Sequence, residues 1–223
     1  MNKELLKEII LEQTDSQLEL ESGIERDILP KIKKDFKLPH AIIISGLRRC
    51  GKSTLLRQIR ASINKESYYF NFEDERLIGF SATDFNVLFE LLCELEGEKK
   101  VFFLDEIQNI PDWERFVRRM IDRKFKFFLT GSNASLLSRE LGTRLTGRQV
   151  SFYLTPFSFK EYLSFKKINF KVDDLLRTQK RSSLKRFFSQ YLQFGGMPEY
   201  LTYANPELLK AAYSDILYRD IIV

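Results

Sequence analysis

The sequence predicts an α/β fold in which a five-stranded, mainly parallel sheet carries helices on both faces and helical segments flank it at each end. Three observations lead there. The apolar, β-branched run Ala41–Ile44 reads as a strand buried on both faces, and Tyr68–Phe72, Val101–Leu104 and Lys126–Leu129 read as further strands. Stretches with helical apolar spacing separate them, and strands alternating with helices argue for a parallel sheet. A glycine-bearing turn, Gly46 to Gly51, joins the first strand run to the first of these helices.

Along the chain, residues 1–38 carry Leu5, Leu6, Ile9 and Ile10, then Ile24, Ile28, Leu29 and Ile32, the spacing of two helices packed on the rest of the protein. Pro30 and Pro39 punctuate this N-terminal segment. His40 reads as a surface residue opening a strand, with a base contact as the functional alternative. Within the core, residues 39–155, helices are expected from about Lys52 to Ile63 and from Phe85 to Leu95. Trp113, Phe116, Val117, Met120 and Ile121 fall at i, i+3, i+4, i+7 and i+8, with Asp112 placed to cap that helix after Pro111. A short helix through Leu136, Leu137 and Leu141 precedes a fifth strand near Val150–Leu154. Residues 156–223 turn helical again, around the turn Gly195-Gly196-Met197-Pro198. The stripe Leu184, Phe187, Phe188, Tyr191 and Leu192 is expected to be core rather than a base-stacking surface. The apolar, uncapped ending Asp220-Ile221-Ile222-Val223 reads as a cut inside a larger protein, a docked terminal element being the alternative.

Composition narrows the function classes. With 43% hydrophobic and 30% charged residues, a chain of 223 residues suffices for one sizeable core. No apolar run approaches the roughly 20 residues that span a bilayer, and the charged N-terminus is not a secretory signal. The expectation is a cytoplasmic protein without a membrane partner. Two cysteines and one histidine leave almost no material for a disulfide framework, histidine zinc sites or a Ser-His-Asp triad. The net charge of +5 tolerates a polyanionic partner without demanding one. Its basic clusters (31–37, 115–126, 160–171, 177–186) are interleaved with apolar residues and read as solvated helix faces before they read as a nucleic-acid groove.

One motif dominates the chemistry. Gly46-Leu47-Arg48-Arg49-Cys50-Gly51-Lys52-Ser53, with Thr54 next, fits G-x-x-x-x-G-K-[ST], the phosphate-binding loop of nucleoside triphosphate sites. The glycines let backbone N–H groups curl around phosphates, and Lys52 reaches the β- and γ-phosphates. Ser53 offers its hydroxyl to Mg²⁺, and the helix beginning there turns its positive end to the anion. The expected ligands are ATP and Mg²⁺. Cys50 counts here for its small size rather than its thiol. Arg48 and Arg49 are unusual on such a loop and are positioned for another part of the protein, a polyanion, or nothing.

Further candidates lie downstream. The strand Val101–Leu104 delivers Asp105 and Glu106 to its carboxyl end, where Asp105 supports Mg²⁺ and Glu106 activates the attacking water. Thr130-Gly131-Ser132-Asn133 ends the fourth strand. There Ser132 or Asn133 meets the γ-phosphate or the water, or caps the next helix. Arg144 and Arg148, on a glycine-containing loop, present a guanidinium to phosphate in cis or across a subunit boundary, or are ordinary loop arginines.

These motifs together resemble a known family. Gly46 to Thr54 is similar to the G-x-R-R-x-G-K-S-T loop of archaeal and bacterial AAA+-like ATPases of the AAA-14 type, usually followed by a DUF4143 domain. Asn71-Phe72-Glu73-Asp74, Leu104-Asp105-Glu106-Ile107-Gln108, Trp113-Glu114, Thr130-Gly131-Ser132, Gly147-Arg148, Pro156-Phe157-Ser158-Phe159-Lys160-Glu161-Tyr162 and Gly195-Gly196-Met197-Pro198-Glu199 extend the likeness from about Ile28 onward. The resemblance implies a P-loop NTPase (AAA+/ASCE-like) sheet with the Thr130 strand between the Ala41 and Val101 strands. It also implies Asp105 and Glu106 as the Walker B pair, Ser132 or Asn133 near sensor 1, and Arg148 or Arg144 as arginine finger. The helices after Pro156 would form a lid.

The leading expectation is therefore an ATPase that drives a conformational change, its site completed by Arg144 or Arg148 in cis or from a neighbour in a homo-oligomer. The alternative is a nucleotide-dependent switch that acts on DNA or a protein partner with little turnover. A small-molecule kinase is disfavoured, because the acidic pair supplies a water-activating carboxylate and no acceptor pocket is evident.

Overall fold

A computed structural model describes residues 1–19, 23–63, 66–131, 145 and 147–215. Strands β1 (Ala41–Gly46), β2 (Tyr68–Asn71), β3 (Val101–Asp105), β4 (Lys126–Gly131) and β5 (Gln149–Leu154) form one sheet in the order β2-β3-β4-β1-β5. Every pairing is parallel, so the sheet is parallel throughout rather than mainly so. β4 lies between β3 and β1, the placement that the family resemblance implies.

Parallel neighbours need crossovers, and helices provide them. They are α3 (Lys52–Ser62), α4 (Asp84–Glu96) and α5 (Trp113–Asp122), preceded by α1 (Lys3–Glu19) and α2 (Leu29–Lys34). After β5 come α6 (Phe159–Phe165), α7 (Thr178–Phe194), α8 (Pro198–Tyr203) and α9 (Pro206–Asp215). No described helix is long and apolar enough to cross a membrane.

Side chains alternate across each strand, so adjacent phenylalanines serve opposite faces. Phe102 stacks on Phe127 at 5.0 Å, while Phe103 stacks on Phe128 at 4.7 Å, each pair directly opposite across β3 and β4. The first face is closed by α1, α4 and α5 through Ile9, Phe85, Trp113 and Phe116. The second is closed by α2 and α3 through Ile32, Leu55 and Ile59. The two N-terminal helices thus lie on opposite faces, and the chain between them crosses from one to the other. Lys126 ties β4 to the approach of β1, its ammonium donating to the carbonyls of Leu38 (2.8 Å) and His40 (2.7 Å).

Two expectations are corrected here. Asp112 does not cap α5 with its side chain; its backbone is left-handed (φ 58°) and its carboxylate pairs with Arg115 at 3.7 Å. The apolar stripe of α7 is not core either. That helix buries no residue fully, leaving Phe188 44% and Leu192 67% exposed while Tyr191 packs on Phe159 and Tyr162. The short helix expected through Leu136, Leu137 and Leu141 lies outside the described residues.

Phe102 is 1% exposed and touches aromatic rings from β2, β4, α4 and α5. Truncation of such a ring costs about 3–5 kcal/mol. Phe102→Ala is expected to lower the urea unfolding free energy by about that amount, whereas Ile78→Ala, at an 86% exposed position, should change it by about 0.5 kcal/mol or less.

Candidate functional site at the carboxyl edge of the sheet

Because all strands run one way, their carboxyl ends share one edge, and the first polar side chains after the apolar runs appear there. β1 passes into the loop Leu47–Gly51, and α3 starts at Lys52. Gly46 is pressed against β5, where any Cβ would run into the Leu154 carbonyl oxygen. Gly51 has φ 97°, a conformation that side chains resist, and it heads α3 without a capping side chain. The first-turn N–H groups of α3 are therefore available to an anion.

A cleft of about 430 Å³ opens over this loop, lined by Arg48, Arg49 and Gly51 to Thr54, with Glu73, Glu106, Pro198 and Glu199 around them. Lys52 is 4% exposed; its Nζ donates to the Leu47 carbonyl (3.1 Å) and stands 3.6 Å from Glu106. Arg48 pairs with Glu73 (2.5 Å) and Arg49 with Glu199 (2.9 Å). Each of these three cations thus faces a carboxylate across the cleft. Arg49 (φ 63°) and Glu106 (φ 51°) both hold the left-handed backbone, strain of the kind that collects where a loop must aim its groups. Leu47 packs against the second core cluster and Cys50 is buried in it, so neither side chain faces the cleft. Burial pushes the Cys50 thiol pKa up, in keeping with a role of size rather than reactivity.

Thr130 organises the acidic pair. Its hydroxyl donates to Asp105 and accepts the backbone N–H of Glu106 at 2.9 Å. Asp105 is 1% exposed and also accepts from the Tyr69 hydroxyl at 3.2 Å. Burial raises the Asp105 pKa, against hydrogen bonds from Thr130, Ser53 and Tyr69 that favour its charged form. Burial, with Asp105 alongside, also raises that of Tyr69. Gln108 donates to the Glu106 carboxylate at 2.6 Å. The Ser53–Asp105 hydrogen bond makes a hydroxyl and a carboxylate neighbours beside Lys52, and such hard oxygens fit Mg²⁺.

Gly46, Arg48, Arg49, Gly51, Lys52, Ser53, Thr54, Asp105 and Glu106 are thus brought together. Arg148 is not among them. It precedes β5 at the opposite edge of the sheet, pairs with Asp122 on α5 (2.5 Å), and accepts the Ala41 N–H at the start of β1. Its Cα is separated from the loop by the length of β1, roughly 17 Å at about 3.3 Å per residue. Ser132, Asn133 and Arg144 lie outside the described residues.

Sequence reasoning missed Arg26, Tyr69, and the roles of Glu73, Thr130, Glu161 and Glu199. Arg26 is 2% exposed and donates to Glu161, Cys50 and Thr155. For Thr130 the available signal was a polar residue that ends an apolar run, Phe127-Phe128-Leu129; Arg26 stands in the charged triplet Glu25-Arg26-Asp27, which gives no such signal.

Comparison with known proteins places the chain in a family. An uncharacterized protein of Methanocaldococcus jannaschii is 37% identical over 99% of this chain and 49% of its own length. One from Haemophilus influenzae is 34% identical over 80% of this chain and 45% of its own. The chain thus spans about half the length of the curated relatives it matches. Among solved structures, a Walker-type ATPase of Pyrococcus abyssi is similar with a TM-score of 0.46 and 14% identity, covering 87% of this chain and 71% of that one. The AAA domain model of the AAA_14 type matches residues 39–163, more than half of the chain, so the protein belongs to that family of P-loop ATPase domains.

Proposed function

We propose that the chain hydrolyses ATP with Mg²⁺ and uses the exchange of charge partners in the cleft to move its C-terminal helices. The observation that carries this reading is the placement of Glu106. Its backbone is anchored through Thr130, its carboxylate is held by Gln108, and it stands beside Lys52 on the cleft wall. A carboxylate so placed can take a proton from water as the water oxygen bonds to the γ-phosphorus and the bond to the β,γ-bridging oxygen breaks. Lys52 and the N–H groups heading α3 would hold the phosphates. Ser53 and Asp105 would hold Mg²⁺, which screens phosphate charge when bound.

Arg148, at the far edge from its own cleft, would serve a neighbouring molecule's cleft in a homo-oligomer, as would Arg144. The switch reading also has its own support. Arg49 on the loop meets Glu199 at the head of α8, so the phosphate loop and the C-terminal helices are joined across the cleft. Triphosphate competes with Glu199 for Arg49, which makes the helices after Pro156 act as a lid.

Mg²⁺-dependent ATP hydrolysis by the wild-type chain is expected, and Glu106→Gln should reduce kcat by about 10²–10⁴ while nucleotide binding persists. Equal turnover by the two proteins would remove Glu106 as the base. A rate per subunit that rises with protein concentration would accompany an arginine supplied by a neighbour.

Thr130→Val takes one donor from the Asp105 carboxylate, which keeps Tyr69 and Ser53, and removes the acceptor of the Glu106 N–H. Loss of about 1–3 kcal/mol of unfolding free energy in urea is expected, with Thr130→Ser close to wild type. Glu199→Gln removes one negative charge from the cleft and should lower the KM for Mg·ATP by about three- to tenfold, a change on the order of 1 kcal/mol. An unchanged or higher KM would count against competition between Glu199 and phosphate.

A further inference from the structure

Arg26 is a buried cation that the proposed hydrolysis does not use. It lies between α1 and α2, on the stretch of chain that crosses from one sheet face to the other. Its guanidinium spends its donors on three separate parts of the chain: Nε on Glu161 of α6 (2.9 Å), Nη1 on the Cys50 carbonyl (2.8 Å) and Nη2 on the Thr155 carbonyl after β5 (2.6 Å). The Phe157 ring lies under it, 5.0 Å from the guanidinium carbon. Glu161 is 4% exposed and fully engaged. One oxygen accepts from Arg26 and from the Asp27 N–H (2.7 Å), the other from the Ser158 N–H (2.7 Å), which closes the capping box of α6.

The Cys50 carbonyl belongs to the same peptide unit as the Gly51 N–H. In a planar trans peptide these two groups point in opposite directions. Holding the carbonyl inward on Arg26 therefore turns the Gly51 N–H away from Arg26. Gly51 lines the cleft at a φ of 97°, and without a Cβ its backbone has other conformations open to it unless something fixes it. Lysine could not replace this arrangement, since a single ammonium lacks the rigid fork that reaches three acceptors.

We infer that Arg26 is a positioning residue of the nucleotide site: it orients the Cys50–Gly51 peptide so that the Gly51 N–H addresses phosphate, and Glu161 holds Arg26 in that pose from α6. The inference rests on the nucleotide reading of the cleft. It makes the first turn of α6 part of the phosphate loop's support. A phosphate-binding N–H that serves substrate and transition state alike should appear in KM and not in kcat.

The test compares wild type, Arg26→Lys and Glu161→Gln by steady-state Mg·ATP kinetics and by titration with a fluorescent ATP analogue, at a temperature where circular dichroism shows each protein folded. Arg26→Lys is expected to raise KM and the analogue Kd by about ten- to a hundredfold, the effect of one lost hydrogen bond to a charged group, with kcat within about threefold of wild type. Glu161→Gln should raise both in the same direction by a smaller factor. A lowered Tm with KM and Kd unchanged would show that Arg26 only holds the fold together and would overturn the inference. Should Arg26→Lys fail to fold, Glu161→Gln decides by the same criterion. A wild-type chain that neither binds the analogue nor turns over ATP would take down the nucleotide reading and this inference together; a wild type that does both, with variants that match it, would overturn this inference alone.

Discussion

The insertion of β4 between β1 and β3 sets the geometry of the whole site. Its registers match Ile44 to Thr130 on one side and Leu104 to Leu129 on the other, so the strand ends of all three arrive at nearly the same height. Inside the sheet β1, β3 and β4 are covered on both faces and hold only apolar side chains over their central residues, Ile42–Ile44, Phe102–Leu104 and Phe127–Leu129. The polar side chains of these three strands are confined to their ends. Thr130 therefore stands between the phosphate loop and the acidic pair, and its hydroxyl can serve Asp105 and Glu106 at once. With β4 elsewhere, Asp105 would be a buried carboxylate short of a donor, a costly arrangement in a low-dielectric setting. The stacked pairs Phe102–Phe127 and Phe103–Phe128 resist a slip of β4 against β3, since a one-residue shift would exchange the faces of every side chain.

Charge in the cleft is balanced locally. Arg48, Arg49 and Lys52 would repel one another if left alone on one loop. Glu73 from the end of β2, Glu199 from α8 and Glu106 from the end of β3 each neutralise one of them. The three carboxylates come from three different elements, so a polyanion that takes over the cations would act on all three at once. Lys52 is the most buried of the cations, and its exchange is the least screened by solvent. Arg48 and Arg49 are about a third exposed in their side chains (33% and 38%), and water weakens their pairs accordingly.

Much of this was legible in the residues and some was not, for physical reasons. Strands β1 to β4 were legible because burial on both faces demands unbroken apolar runs, and no other element of this length makes that demand. The phosphate loop was legible because its glycines answer to steric limits that act within a few residues. Strand order came only through family resemblance, since nothing in a run such as Phe127-Phe128-Leu129 names its neighbours. The exposure of α7 was misread because periodicity reports that a helix has an apolar face, not whether anything covers it. Asp112 was misread as a side-chain cap because Asx residues favour both that role and the left-handed backbone it adopts instead. Arg148 could be named but not placed, because the height of a residue along a strand decides which edge it occupies. The partners of Arg26 lie 24, 129 and 135 residues away, and no local pattern encodes such contacts.

That last constellation changes how the N-terminal segment is to be regarded. A segment that merely covered the sheet would bury apolar side chains, as Leu6, Ile9 and Ile32 do. It would gain little from a fully desolvated guanidinium, because a buried ion pair often stabilises a fold no better than apolar packing. Yet the chain places Arg26 where it touches the phosphate loop, the exit of β5 and the capping box of α6 together. Gln58 on α3 adds to this from the other side, donating to the Ile24 carbonyl (2.5 Å) and accepting the Arg26 N–H (3.3 Å). Specificity of position, rather than stability, accounts best for an arginine at this point. Residues 23–28 then belong to the site as much as to the core that α1 and α2 cover.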